Sequence, residues 1–227
     1  MHRLATLVSA LLLVGCGGRA LEESAPARQV RVETLGGQCV RVTSSIGTSL
    51  LTNPFNPGTT GRTLPSPLKP DIILVSQERP EANNVDAVDN QPTIFRGSMG
   101  IGINSAMGIR IRGVPIFRNP DVQSVDGMNL VYTWTMDGVK FCHLGWLRAP
   151  LNSYSLSQIG LVDVLFVPVQ GDLSASERDA IVGQIRPRVV VPMGKGWSYG
   201  NVQSVGSSSF SFSREMLPLQ TTTLAFD

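Results

Sequence analysis

Residue types that carry nucleophilic or metal chemistry are scarce in this chain of 227 residues. It contains two histidines, His2 and His143, and three cysteines, and metal sites and catalytic triads draw on these types. A serine or cysteine nucleophile would have to use His143, which we expect to be structural. Cys142 precedes it in a strand-like segment, where neighbouring side chains point to opposite faces and form no dyad. We expect Cys39 and Cys142 to be buried free thiols; a disulfide between them in an oxidising compartment is the alternative.

A group of polar and charged residues follows the apolar run 71–75, whose composition predicts a strand buried on both faces. Gln77, Arg79 and Glu81 come directly after it. Amide and carboxylate oxygens can bind a cation, whereas arginine has only donors and keeps its positive charge. The group therefore predicts a polar site at the end of this strand.

Mostly strands position these residues. An Asp137-Gly138 pair predicts a hairpin turn, and the Ser174-to-Glu177 capping box predicts a helix that ends near Ile185. The predicted strands are 28–35, 38–43, 49–52, 71–75, 108–117 split at Gly113, 130–136, 139–143, 162–167 and 189–192, with a Pro/Gly loop at 53–70. Many strands followed by a β-α-β order predict a sheet-rich, layered α/β domain.

Six segments resemble, in order, segments of the metallo-β-lactamase superfamily, in particular of its L-ascorbate-6-phosphate lactonase-like branch. Residues 71–87 resemble the first metal-binding segment, in which a buried strand ends in Thr-His-x-His-x-Asp-His. The other five segments are 51–55, 114–132, 138–145, 163–171 and 187–193. The resemblance covers residues 30–200 and implies an αββα sandwich, with the site at the loop ends between two sheets.

The positions that hold metal ligands in that superfamily carry other residues in this chain. By the resemblance, the family's histidines fall on Gln77, Arg79, Ala82, Arg118 and Gly194, and its two aspartates fall on Glu81 and Trp146. Zinc is held by histidine nitrogen, cysteine sulfur and carboxylate oxygen. His2 leaves with the signal peptide predicted below, and His143 alone cannot rebuild a two-metal site. We therefore expect no metal, no other cofactor and no metal-activated water.

Two interpretations of these replacements remain open. In the first, the site is inactive: Glu81 pairs with Arg79 or Arg118, and Trp146 fills the volume once held by metal and water. In the second, the two arginines supply fixed positive charge for a small anionic ligand, because guanidinium groups bind anions with charge-assisted hydrogen bonds.

The first 16 residues have the order of a bacterial lipoprotein signal. A basic start is followed by the apolar run 4–14, which is shorter than the ~20 residues needed to span a bilayer. Residues 13–16 (Leu-Val-Gly-Cys) resemble a lipobox, which implies cleavage before Cys16 and acylation of its thiol; an ordinary signal peptide is the alternative. We expect a signal peptide at 1–15, a tether at 16–28 and the α/β domain at 29–227.

The charge balance of the chain limits the classes of partner that it can bind. The chain has 19 Lys and Arg against 17 Asp and Glu, so it lacks the basic excess that nucleic-acid binding requires. These observations predict a lipid-anchored protein of the bacterial cell envelope that has lost its metal site. We expect a non-catalytic binding or scaffold protein with a small anionic ligand or an envelope protein as partner. The alternative is a lactone or phosphoester hydrolase with a remodelled site and Glu81 as its base.

Overall fold

Two β-sheets stacked face to face form the domain. The computed structural model describes residues 28–119, 121, 124 and 127–226, so the predicted signal peptide, Cys16 and the tether as far as residue 27 lie outside the described residues. The strands are β1 (Gln29–Gly36), β2 (Cys39–Thr43), β3 (Ser49–Thr52), β4 (Ile72–Leu74), β5 (Thr93–Phe95), β6 (Gly102–Ala106), β7 (Ile109–Phe117), β8 (Met128–Met136), β9 (Val139–His143), β10 (Val164–Pro168), β11 (Val189–Met193), β12 (Asn201–Ser204), β13 (Ser209–Ser213) and β14 (Thr222–Ala225). The helices are α1 (Pro57–Thr60), α2 (Ser153–Ile159) and α3 (Ala175–Ile185).

The strand order places antiparallel and parallel pairs in both sheets. One sheet has six strands in the order β13-β1-β2-β3-β4-β5, and the other has eight in the order β12-β14-β11-β10-β9-β8-β7-β6. Strands β3, β4 and β5 run parallel, as do β9, β10, β11 and β14. The two-sheet α/β sandwich that the sequence predicts is therefore confirmed.

The main core lies between the sheets and follows from alternation along the strands. Every second residue of β8 from Met128 to Met136 is buried in this core, opposite valines and leucines of the six-stranded sheet. Trp134, Phe141 and Phe166 stack there, with ring centroids 5.3 Å and 6.2 Å apart. Full burial of one such side chain contributes about 1.5–3 kcal/mol, so this layer is the main source of stability.

The outer layers differ between the two sheets. Helices α2 and α3 cover the eight-stranded sheet, and Ser174 and Glu177 form the predicted capping box at the start of α3. Over the six-stranded sheet, the loop 53–70 packs Phe55 and Leu68 against Ile73, and α1 is its only helical turn. This outer layer is thus mainly loop rather than helix.

Some element predictions need correction. Strand β7 continues through Gly113 instead of breaking there, because Gly113 pairs with Gly102 of β6 and Tyr132 of β8. The glycine serves a close approach, since a side chain at this position would overlap the Gly100 carbonyl oxygen. Sequence patterns also miss β5, β6, β12, β13, β14 and α2. Most of these lie at sheet edges, where exposed polar residues interrupt the alternation that predicts strands.

The two cysteines that the structure describes are free and fully buried, as predicted. Cys39 lies in the outer cluster of the six-stranded sheet and Cys142 in that of the eight-stranded sheet, so no disulfide joins them. Burial raises the pKa of both thiols and keeps them protonated. Within the described ranges, every helix is too short or too polar to cross a bilayer.

The close approach at Gly113 gives a stability prediction. Gly113→Ala places a methyl group against the Gly100 carbonyl, so we expect the free energy of unfolding to fall by about 1–3 kcal/mol. The matched control is Gly183→Ala in the exposed part of α3, where nothing lies within 4 Å; there we expect a gain of about 0.5–1 kcal/mol. Urea denaturation measures both, and an unchanged stability of Gly113→Ala would contradict the packing described.

Candidate functional site

The loops that follow the parallel strands meet at one end of the sandwich. Residues 76–82 follow β4, residues 144–148 follow β9, residues 169–172 follow β10, and Gly194 follows β11. Parallel strands place their carboxyl ends at one edge, so these loops converge. We refer to this end as the cavity end.

Buried amides fix the loops at this end. The Asn129 carboxamide accepts a hydrogen bond from the Trp146 backbone N–H (2.8 Å) and donates one to the Leu144 carbonyl (2.9 Å). The Gln77 amide donates to the Trp146 carbonyl at 3.1 Å. Gly145 has a φ of 63°, and a side chain there would collide with Asn129 and Ser76. The loop after β9 is therefore held in a single close-packed conformation.

His143, the last residue of β9, also holds this loop in place. Its Nδ1 accepts a hydrogen bond from the Gly145 N–H (3.0 Å), so Nε2 carries the proton and donates to the Gln38 carbonyl (3.1 Å). Burial lowers the pKa of His143 to about 4, although the bond to Gln38 acts in the opposite direction. The imidazole is neutral at neutral pH, and both of its nitrogens are engaged with the backbone, in agreement with the predicted structural role.

A cavity of about 530 Å³ opens at the cavity end, between the loops and the turn from β1 to β2. Its charged lining residues are Arg62, Glu81 and Lys195. Arg62 reaches it across Gly36, whose missing side chain leaves the room that the guanidinium occupies. Polar and aromatic residues complete the wall, among them Gln38, Phe55, Trp146 and Gln170.

The seven positions predicted from the resemblance do not all reach this cavity. Glu81, Trp146 and Gly194 line it. Gln77 is buried against the Trp146 backbone, and Ala82 is buried in the loop after β4. Arg79 and Arg118 are exposed and are not lining residues.

The predicted pairing of Glu81 with Arg79 or Arg118 is wrong. Arg118 instead contacts Asp172, with 3.5 Å between Nη2 and Oδ2, and its side chain is 65% exposed. In the part of the chain that the structure describes, no ion pair includes Glu81 or Arg79. Glu81 follows the strand in the same loop as Arg79, but its neighbours in the cavity come from other loops.

Sequence reasoning missed the two cations that the cavity contains. Arg62 lies in the Pro/Gly loop and belongs to no motif, and Lys195 directly follows Gly194. Only the folding of 53–70 over the six-stranded sheet brings Arg62 to the site. The sequence signal that could have found Lys195 is its position directly after Gly194, which the resemblance had already placed at the site.

The residues at the cavity do not suit a metal ion. Across 28–119, 121, 124 and 127–226, no three His, Cys, Asp or Glu side chains form a group able to hold one. Among the lining residues Glu81 is the only carboxylate, and Arg62 and Lys195 bring positive charge that repels a cation. Metal binding in proteins requires several nitrogen, sulfur or oxygen ligands around one point.

A Gly-x-Ser-x-Gly spacing occurs at residues 196–200 but does not form a catalytic serine site. A nucleophile elbow is a sharp turn between a strand and a helix, whereas this segment joins two strands, β11 and β12. The histidine of the described residues, His143, has both ring nitrogens bonded to the backbone and cannot activate Ser198.

Comparison with protein families identifies the fold. A family model described as "Beta-lactamase superfamily domain" matches residues 31–194. A UPF0173 protein of Pyrococcus abyssi (strain GE5 / Orsay) is 49% identical over 59 residues, which span 25% of this chain and 25% of that relative.

Solved structures show the same fold at low identity. A metallo-beta-lactamase superfamily protein of Thermotoga maritima superposes with a TM-score of 0.69 at 21% identity, covering 87% of this chain and 100% of that one. A metallo hydrolase of Ignicoccus hospitalis KIN4/I superposes with a TM-score of 0.50 at 17% identity, covering 73% and 82%. At these identities the likeness concerns the fold alone.

The buried, neutral His143 predicts a loss of stability in mild acid. Its pKa is about 4 in the folded chain against 6.5 when solvated, so below pH 6.5 the unfolded chain binds a proton that the folded chain does not. The free energy of unfolding therefore falls as the pH drops, by about 2 kcal/mol at pH 5. His143→Gln keeps an amide donor for Gln38 but cannot titrate.

Urea denaturation at about pH 7 and pH 5 tests this, because carboxylates contribute equally to both proteins. We expect the wild-type chain to lose stability over this interval and His143→Gln to lose much less. Equal losses would show that His143 is not the group that titrates.

Proposed function

The chain belongs to the beta-lactamase superfamily domain family, and we propose that it uses this fold to bind a small anionic ligand rather than to hydrolyse a substrate with metal ions. Its fold is that of the metal-dependent hydrolases of the superfamily. Function depends on the residues of a site rather than on the fold that carries them. The residues at this site are those of an anion-binding pocket.

The observation that carries the proposal is the pair of cations in the cavity. Arg62 and Lys195 both line the cavity, and the single negative charge of Glu81 balances only one of them. A guanidinium offers two parallel donors to a carboxylate or phosphate, and an ammonium adds a point charge. Together they favour a ligand with net negative charge.

Two buried polar groups belong to side chains that line the cavity. Trp146 Nε1 and Gln38 Oε1 have no hydrogen-bond partner among the described residues. Leaving such a group unpaired costs about 1–3 kcal/mol. Both atoms are closed to solvent, so a ligand pairs with one of them only when that side chain turns toward the cavity; the indole would then donate a hydrogen bond and the amide oxygen would accept one.

The cavity has the volume of a small-molecule site. Its roughly 530 Å³ lies within the 300–1,000 Å³ typical of ligand pockets, and Trp146 is one of its lining residues. Phe55 and Trp146 give it apolar walls against which a carbon skeleton can pack.

Glu81 supports a second candidate function. It is the one carboxylate among the lining residues and could serve as a general base in a metal-free lactone or phosphoester hydrolase. We rank this candidate second, because it rests on Glu81 alone, whereas the binding function rests on the two cations Arg62 and Lys195.

The proposed place of action is the bacterial cell envelope. The order of residues 1–16 supports cleavage before Cys16 and anchoring by acyl chains on its thiol, with the domain held outside the cytoplasm. An envelope protein that presents an anionic group is a partner consistent with the same cavity. The balanced charge of the chain does not favour nucleic acid.

Inorganic phosphate and citrate serve as probes of the cavity. We expect both to raise the melting temperature of the wild-type chain, because a ligand that binds only the folded state stabilises it. Arg62→Ala and Lys195→Ala should each weaken binding about tenfold, the effect of losing one charge-assisted hydrogen bond. Isothermal titration calorimetry measures the dissociation constants.

The matched control is Arg79→Ala, which removes a cation that is exposed and lies outside the cavity. Its affinity should equal that of the wild-type chain, and equal weakening by all three substitutions would contradict a specific pocket. The same proteins are assayed with lactones and phosphoesters. Turnover that persists in EDTA and disappears in Glu81→Gln would contradict the binding function and support the hydrolase.

A further inference from the structure

The end of the sandwich opposite the cavity collects a second set of loops. The turns β2–β3, β6–β7 and β8–β9 lie there, and β10, β11 and β14 begin there. The Ser45 N–H and hydroxyl donate to the Asp137 carboxylate at 2.6 Å and 3.0 Å, which joins the two sheets at this end. We refer to residues 44–48, 107–108, 137–138, 160–163, 186–188 and 214–221 as the far end.

Large apolar side chains stand exposed on the far end. They are Ile46, Met107, Leu161, Met216 and Leu219, each more than 60% exposed, and Leu219 reaches 96%. They come from four separate loops, with Met216 and Leu219 both in 214–221, so folding of a single segment does not account for their position. Exposed apolar groups collected on one surface mark a site of contact with a protein or a membrane.

Met107 is exposed in an unfavourable backbone conformation. It has a φ of 50° and, with Gly108 at 74°, forms the two-residue turn between β6 and β7. Such a turn favours Asn-Gly, since a bulky residue in the left-handed region costs free energy. Met107 therefore makes the tip of this hairpin apolar at a cost in folding free energy. This indicates that its side chain has a role other than stabilising the fold.

A basic groove borders these loops on the outer face of the eight-stranded sheet. It has a volume of about 410 Å³ and is lined by Arg110, Arg112 and Lys140, and its lining residues include no carboxylate. Thr133 pairs with Arg112 and Thr135 with Lys140 across the strands, so hydroxyls lie between the cations. Three cations with interleaved hydroxyls suit a phosphate group.

The chain enters the domain at the far end. In β1, Arg31 pairs with Thr43, which directly precedes the β2–β3 turn, and Gln29 pairs with Ser213 beside residues 214–221. Twelve residues, 17–28, separate Cys16 from Gln29. They can span at most about 40 Å, so a lipid on Cys16 would keep this end near the membrane.

We propose that the far end is a docking surface for an anionic phospholipid membrane. The apolar loop tips insert into the interface, and the groove of Arg110, Arg112 and Lys140 holds a phospholipid headgroup. The inference rests on the proposed function only in that the lipid on Cys16 brings the membrane close. Basic groups strengthen the hold of an acylated protein on an anionic surface. In this orientation the cavity faces away from the membrane.

The test uses the full chain, purified from membranes, with an environment-sensitive fluorophore on Met107→Cys or Leu219→Cys. Cys39 and Cys142 are fully buried and do not take the label, and the unsubstituted chain treated with the fluorophore gives the background from Cys16 in case it carries no acyl chains. The control is Asn119→Cys, an exposed position just after β7, at the cavity end. Each protein is added to vesicles of phosphatidylcholine alone or with phosphatidylglycerol.

We expect a blue shift and a rise in emission at both far-end positions, larger with phosphatidylglycerol, and no change at Asn119→Cys. Adding Arg112→Glu and Lys140→Glu should remove the dependence on phosphatidylglycerol. Water-like emission at both far-end positions, or equal shifts at all three, would overturn the docking surface.

Mass spectrometry of the same preparations separates the two proposals. If Cys16 carries acyl chains while the far-end probes remain in water, the result supports the lipid anchor and contradicts the docking surface. If Cys16 carries no acyl chains while the emission of the far-end probes still shifts on vesicles, the result supports the docking surface and contradicts the anchor.

Discussion

The carboxamide of Asn129 connects the two halves of the site. It holds the N–H of Trp146 and the carbonyl of Leu144, while Gln77 holds the Trp146 carbonyl from the loop after β4. The loops after β4 and β9 are thereby joined by neutral amides. The wall that carries Trp146 and Glu81, and with it the shape of the cavity, depends on these bonds.

The two ends of the sandwich differ in chemistry because the strands run in defined directions. The carboxyl ends of β4, β9, β10 and β11 build the cavity, and the opposite ends carry exposed apolar tips beside a basic groove. The proposed ligand pocket and the proposed docking surface thus lie on separate ends, with the core between the sheets undisturbed by either.

Sequence alone predicted the buried layers better than the edges and the site. Runs such as 71–75 and the Asp137-Gly138 turn carry clear period and turn signals, and those elements appear where expected. The edge strand β12 is exposed at all four residues and has no such signal. Arg62 lines the cavity and Arg118 contacts Asp172 because of packing between segments that are far apart in the sequence, and no local sequence pattern predicts such contacts.

The most direct test of the account is the metal content of the purified full chain, by inductively coupled plasma mass spectrometry, with thermal melts in zinc, in manganese and in EDTA. A metal that binds only the folded state must raise the melting temperature. We expect no stoichiometric metal and the same melting temperature in all three conditions. About one or two metal ions per chain, with a melting temperature that falls in EDTA, would contradict it and restore metal-dependent hydrolysis as the function.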